Sequence, residues 1–213
     1  MMKIIKNKIS RILTWRRHSK NNRVAHSANI HKSAEMGGDC VIGEEVILGE
    51  DVTLSKGVRV GRGASLSRIT VGDNSHIESW IVCTGHGDGK IRVGKECYIG
   101  LMNVLDFSSD LIIGDYVHIA GPSTGLWTHS TANMCIHNIP LSRLDDEEYR
   151  PRSPIVIEDN VYIGGNTTVY PGVTIHHHSI IAPNSAVTKD VEPYTVVGGV
   201  PSKLIKRIDA PGS

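Results

Sequence analysis

The chain of 213 residues contains one phenylalanine, aromatic residues make up 5% of it, and no apolar run approaches the roughly 18 residues that a membrane-spanning helix needs. The shortage of aromatics excludes a core built on large planar side chains. In their place stand 22 glycines and a hydrophobic content of 39% rich in Val and Ile, which points to strands and tight turns. The four cysteines, Cys40, Cys83, Cys97 and Cys135, form no C-x-x-C pair and follow no metal-finger spacing, so neither a disulfide framework nor a zinc knuckle is indicated. The N-terminus lacks the uninterrupted apolar core of a secretory signal. The expectation is a soluble, cytoplasmic chain in a reducing compartment, long enough for one core and one domain. The formal net charge is only +1, and no nucleic-acid partner is expected.

What the sequence has in abundance is a period of six. Steps of six from Ile30 reach Met36, Ile42, Leu48, Leu54, Val60 and Leu66. The register slips by one to Val71 and Ile77, resumes at Val93, Ile99 and Leu105, then at Ile113 and Ile119, and runs from Ile157 through Ile163, Val169, Ile175 and Ile181 to Val187. This fits neither a helix nor the plain alternation of a sandwich strand. Four places after most of these positions stands a small or β-branched residue: Ala34, Cys40, Val46, Val52, Val58, Ala64, Ser75, Cys97, Val117, Val161, Thr167, Val173, Ser179 and Ser185. Two places per hexad therefore point inward. Between them lie Gly at the second place and polar pairs at the third and fourth, turn formers that tolerate unusual φ. Each unit reads as a short strand plus a corner; three units close a triangle of about 18 residues, and stacked triangles hydrogen-bond at about 4.8 Å spacing. Burial of each inward aliphatic is worth about 1.5–3 kcal/mol.

With the repeat laid out, residues 30–208 resemble the hexapeptide-repeat acyltransferases. The likeness is carried best by "VYIGGNTTVYPGVTI" at 161–175 and "IIAPNSAVTKDVEPYTVVGGVPSKLIKRI" at 180–208, which are similar to the closing segment of galactoside, maltose and polysaccharide O-acetyltransferases. The resemblance implies an all-β, left-handed parallel β-helix assembled as a homotrimer with active sites between subunits. It also implies acetyl-coenzyme A as co-substrate and a carbohydrate acceptor. The left hand comes from the resemblance alone, because the general rule for parallel crossovers favours the right.

Two breaks interrupt the repeat. "CTGHGDGK" at 83–90 carries His86 in a Gly- and Asp-rich turn. A longer break, about 121–154, carries Trp127, His129 and His137, and a stretch of this length without a hexad pattern reads as an active-site excursion loop. In similar enzymes the corresponding loop holds the catalytic histidine, and "LWTHST" makes His129 the candidate base, with His137 and His86 in reserve. Where those enzymes carry two histidines separated by one residue, the second is generally taken as the base; this chain has Thr131 there, and one inserted residue in "GPSTGLW" would restore the geometry. A histidine suits the task because its ordinary pKa lies near 6.5 and the thioester arrives already activated, so no acyl-enzyme is required. Asn103 and Asp106 fall roughly where the resemblance places acceptor-binding residues, and Trp127 joins them as a substrate-binding candidate.

The resemblance puts the coenzyme outside the last coils. Gly165 would leave room for the pantetheine arm, Ala182 and Pro183 would shape the next corner, and Gly199, Val200, Pro201 and Lys203 would line the nucleotide end, with Lys206 or Arg207 for phosphates. Relatives often have "GNP" where this chain has "GVP". No metal is expected: the run His176, His177, His178 occupies corner positions, and three consecutive residues rarely converge on one ion.

The organisation expected is a basic N-terminal segment at 1–29, the β-helix at 30–208 and a tail at 209–213. Residues 1–24 hold eight Lys or Arg and no acid. Ile5, Ile9, Ile12 and Trp15 or Arg16 fall at helical spacing, so the segment reads as a basic amphipathic helix that either lies peripherally on an anionic membrane surface or caps the open end of the β-helix. The leading function is O-acetylation of a sugar hydroxyl on a polysaccharide, nucleotide-linked or lipid-linked glycan. Its alternatives are N-acetylation of a nucleotide-linked aminosugar, a non-catalytic scaffold, and a zinc lyase similar to γ-type carbonic anhydrases, whose three-histidine arrangement is not reproduced by His76, His118, His129 and His137.

Overall fold

The computed structural model describes residues 15–17 and 20–210. Its architecture follows from the corners. At the fourth place of successive hexads the backbone passes through positive φ, 60° at Asp39, 60° at Glu45 and 54° at Asp51. Short polar side chains reach this region at modest cost, but Trp80, Met102 and Tyr116 hold it as well, at 62°, 57° and 56°. What fixes them is the neighbouring coil: their amides donate to the carbonyls of Arg62, Ser79 and Lys95 at 2.9, 3.0 and 3.0 Å. The glycines of the second place have a different origin. A Cβ on Gly72 would lie 2.6 Å from the Gly94 carbonyl carbon, and one on Gly164 would lie 2.5 Å from the Pro183 nitrogen. Coil-to-coil contact, rather than unusual φ, reserves that place for glycine.

The sides between corners form three sheets around a β-solenoid of about ten turns. Sheet A has 11 strands, running through Val41–Ile42, His76–Ile77, His118–Ile119 and Tyr162–Ile163; sheet B has eight, including Val104–Asp106, Gly125–Leu126, Thr168–Val169 and Ala186–Val187; sheet C has seven, including Ile91–Val93, Leu111–Ile113 and Ile155–Ile157. Pairing is parallel except at the two ends of sheet A. Like stacks on like: Leu54 pairs with Val71, Val71 with Val93, Val93 with Ile113 and Ile113 with Ile157. Every inward aliphatic of the repeat is buried except Ile30 and Met36, which pack against the edge of the core. The inward serines are satisfied locally, Ser75, Ser179 and Ser185 donating to the carbonyls of Gly94, His176 and Ala182 at 2.8, 2.6 and 2.6 Å. The four cysteines are free thiols, and burial pushes Cys83 up to about 12.

Three expectations need correction. The coil starts before residue 30, because Arg23–Ala25 already pairs in parallel with Val41–Ile42 and Val24 and Ala25 are buried. Trp15–Arg17 is a strand antiparallel to Arg23–Ala25, so a helix does not run through Trp15 or Arg16; Ile5, Ile9 and Ile12 lie outside the described residues. The excursion does not begin at residue 121. Gly125–Leu126 is a regular strand of sheet B with Leu126 fully buried, and the one inserted residue sits in the corner before it, where Ser123 takes the positive φ and Thr124 the inward fifth place. The chain leaves the coil after Thr128, makes the short helix Ala132–Ile136 and a single turn Leu141–Arg143, and returns at Ile155. The basic stretch Lys203–Arg207 is an exposed strand antiparallel to Thr195–Gly198.

The inward period makes a quantitative demand. Ile163→Ala, at 0% exposure, should cost about 2–5 kcal/mol, whereas Ile180→Ala, outward and 37% exposed, should cost under about 1 kcal/mol, read from urea unfolding midpoints.

Candidate active site

Leu105 pairs with Leu126 in sheet B, so the residues that follow each, Asp106–Ser109 and Trp127–Ser130, leave the sheet at the same corner on adjacent coils. Asp106 occupies the second place of its hexad, where many other hexads carry glycine, and its carboxylate is wholly buried. It is surrounded by donors. Oδ2 accepts from the Thr128 amide at 2.8 Å, the Thr128 hydroxyl at 2.9 Å and His129 Nδ1 at 2.6 Å; Oδ1 accepts from the Ser108 amide at 2.9 Å and its hydroxyl at 2.8 Å. An ionised carboxylate has no proton to donate, so Nδ1 carries the hydrogen and, in the neutral ring, Nε2 keeps its lone pair. Burial pushes the Asp106 carboxyl up, yet the hydrogen bonds from His129 and Ser108 and the charge of His129 outweigh it and hold the group below the usual carboxylate range.

His129 is the exposed end of this network, with 20% of its side chain accessible. It lines a pocket of about 280 Å³ with Trp127, Ser130, Thr168, Tyr170 and Pro171. Trp127 can lie there because residue 125 is glycine: a Cβ at Gly125 would fall 2.4 Å from the indole nitrogen. Along the outer face of sheet B, Gly125, covered by the Trp127 indole, pairs with Thr168 and Thr168 with Ala186, so beyond Trp127 the last two coils present small side chains at this register. Ala186 then hydrogen-bonds with the Gly199 carbonyl at 3.0 Å and accepts from the Ser202 amide at 2.8 Å, which brings the 199–203 turn to the end of this trough. Val200 is 77% exposed there. On the preceding coil a more polar groove is lined by Asp88, Ser109, Asp110, Glu147 and Arg152.

Of the residues singled out from the sequence, His129 and Trp127 line one pocket, Gly199 hydrogen-bonds to Ala186 at the edge of sheet B with Val200 and Pro201 in the turn that follows, and Lys203 begins the terminal strand of sheet A. Ala182 and Pro183 form the corner entering sheet B, on the opposite edge from His129. Asn103 does not reach an acceptor: at 0% exposure its amide nitrogen donates to the Ala120 carbonyl at 3.2 Å and its oxygen accepts from the Thr124 amide at 2.9 Å. Asp106 likewise does not face a sugar hydroxyl, since its oxygens are spent inside the protein. Gly165 offers no room for a pantetheine arm, because the space of its Cβ is 2.5 Å from the Gly121 carbonyl oxygen.

The reserve histidines are elsewhere. His86 Nε2 contacts Asp145 at 3.0 Å, and His137 is exposed against the Tyr149 ring. His76 and His118 sit on the outer face of sheet A with Tyr98 between them. His176 is held by Glu158 at 3.0 Å, while His177 and His178 pack on Tyr194; among the described residues no three His, Cys, Asp or Glu side chains converge as a metal set. Thr128, Ser108 and Arg150 were not singled out in the sequence. Carrying the register through Leu126 would have placed Thr128 beside Asp106, but nothing in "YRPR" marks Arg150.

A family model described as bacterial transferase hexapeptide (six repeats) matches residues 154–189, and one described as the GMPPB C-terminal domain matches residues 24–123. The galactoside O-acetyltransferase of Escherichia coli K12 is 34% identical over 140 residues, 66% of this chain and 64% of that protein. A chloramphenicol acetyltransferase of Klebsiella aerogenes is 52% identical over 118 residues, 55% of this chain and 51% of that protein. The chain thus spans less than two thirds of the length of each. A hexapeptide-repeat-containing acetyltransferase of Vibrio cholerae, solved with acetyl-coenzyme A, superposes with a TM-score of 0.50 at 32% identity, covering 73% of each chain. The chain belongs to the hexapeptide-repeat acetyltransferase family.

Asp106 also sets a pH dependence of stability. Its folded pKa is lowered, so its contribution is complete above the ordinary carboxylate pKa near 3.9 and is lost as pH falls through the folded value. Urea midpoints of the wild type should therefore fall from about pH 5 downward by an increment that Asp106→Asn lacks; parallel curves for the two proteins would contradict the assignment.

Proposed function

We propose that this chain is an acetyl-coenzyme A-dependent O-acetyltransferase acting on a sugar hydroxyl of a polysaccharide, nucleotide-linked or lipid-linked glycan, with His129 as general base in direct transfer. The observation that carries the proposal is the 2.6 Å contact between His129 Nδ1 and the buried Asp106 carboxylate at the rim of the Trp127 pocket. Asp106 fixes the ring and its tautomer, and Nε2 takes the acceptor hydroxyl proton as the oxygen attacks the thioester carbonyl. A backbone N–H of the corner holds the tetrahedral oxyanion, and the coenzyme thiolate leaves.

The trough of Thr168 and Ala186 beyond Trp127 fits a narrow pantetheine arm, with Gly199, Val200, Pro201 and Lys203 at its nucleotide end and Lys206 or Arg207 available to phosphates. Gly165, Ala182 and Pro183 act through the corner that bounds this face. Trp127 packs against the acyl end, and the groove of Asp88, Ser109, Asp110, Glu147 and Arg152 offers the polar contacts that Asn103 and Asp106 do not. Left-handed winding, a homotrimer with active sites between subunits and a cytoplasmic location belong to the same reading. No helix among the described residues is long and apolar enough to cross a membrane. A galactoside as acceptor is supported by the Escherichia coli relative. A second reading, acetylation of a xenobiotic hydroxyl such as that of chloramphenicol, is favoured by the higher local identity of the Klebsiella aerogenes relative.

Release of coenzyme A measured with galactosides, aminosugar nucleotides and chloramphenicol separates these acceptors. With whichever acceptor is used, His129→Ala should lower kcat by about 10²-fold or more while calorimetric binding of acetyl-coenzyme A is retained. Unchanged turnover would remove His129 from the mechanism.

A further inference from the structure

Among the described residues only two formally charged side chains are buried, Asp106 and Arg150, at 0% and 3% exposure. They are joined through one hydroxyl. Arg150 Nη2 donates to Ser108 Oγ at 2.9 Å, and Ser108 Oγ donates to Asp106 Oδ1 at 2.8 Å, on the opposite side of the carboxylate from His129. Arg150 Nη1 donates to the His86 carbonyl at 2.8 Å, and its Nε has no partner. A guanidinium buried with so few acceptors depends on a nearby negative charge. Burial draws the Arg150 group down, the Asp106 and Asp145 carboxylates oppose that, and Arg152 adds to it.

The position of Arg150 in the chain gives this contact a second consequence. The residue stands at the end of the excursion, just before the chain rejoins the coil, and its two hydrogen bonds reach the 84–90 loop and the 106–109 corner. A purely structural anchor would be equally well served by two main-chain carbonyls. Here one of its two bonds goes to the hydroxyl that solvates the dyad carboxylate.

We propose that Arg150 is a positioning residue for acetyl transfer: through Ser108 it holds Asp106 ionised and oriented, and its positive charge keeps His129 unprotonated at lower pH than the dyad alone would. The proposal rests on the reading of His129 as the base. The charged or titratable groups around His129 are Asp106 beneath it, Tyr170 in the shared pocket, Arg150 behind Asp106, Arg152 paired to the His129 backbone with its side chain on Glu147, and, further off, Asp110 on the adjacent coil and the His86–Asp145 pair of the flanking loop. Of these, only Arg150 is a buried cation.

The test is an imidazole ¹⁵N NMR titration of His129 in the full chain, with the resonance assigned by its loss in His129→Gln, in the wild type, Arg150→Gln and Arg150→Lys. Gln keeps a donor for Ser108 and removes the charge; Lys keeps the charge. Arg150→Gln should move the His129 titration, and with it the acid limb of kcat/KM, to higher pH by about half to one unit, which lowers kcat/KM on that limb by about 3–10-fold. Arg150→Lys should leave the titration within about 0.2 unit of the wild type. If Arg150→Gln does not fold, Ser108→Ala replaces it and should shift the titration in the same direction. Lower melting temperature with an unmoved titration would overturn the proposal and leave Arg150 a structural anchor. Failure of the base assignment shows separately, as full turnover in His129→Ala.

Discussion

A side chain pointing inward every sixth residue is the constraint on which the rest of this molecule depends. Because each side of the prism is only two or three residues long, every coil must turn three times, and many of these turns place a residue at positive φ or a glycine against the neighbouring coil. The outer surface is then nearly free of packing duties. Function can be written onto corners without disturbing Leu105, Leu126 or Val169 beneath them, all of them fully buried.

The site occupies the corner where the second-place side chain is a fully buried carboxylate. Asp106 replaces the usual small second-place residue, and a carboxylate placed there is desolvated by the coil that follows. Five hydrogen bonds from Thr128, Ser108 and His129 offset the cost, and one of them fixes the imidazole. The excursion of the next coil begins at that histidine and ends at Arg150, so the loop is tied at both ends to the same carboxylate. Asp106 thus couples loop closure, ring orientation and the charge of the base.

The scaffold was legible in the sequence because its cause is local and repeated. One inward aliphatic per six residues is visible without any structure, and nearly all of those residues are buried. The site was legible only in part. His129 and Trp127 stood out in a non-repetitive stretch, whereas Asp106 was seen as a sugar ligand because its distance from His129 in sequence hides a contact between adjacent coils. Asn103 misled for a related reason: an inward fifth-place asparagine looks like a binding residue until its amide is found satisfying the Ala120 carbonyl and the Thr124 amide. The inserted residue before Ser123 displaced the apparent start of the excursion, and with it the register that would have placed Thr128 over Asp106.

The most direct measurement is the tautomer of His129 in the free protein, read from the two ring ¹⁵N shifts at a pH where the ring is neutral. A protonated Nδ1 and an unprotonated Nε2 are the predicted result, since only that form donates to Asp106 and presents a lone pair to the Trp127 pocket. A hydrogen on Nε2, or equal population of the two tautomers, would contradict the assignment of Asp106 and His129 as a working dyad.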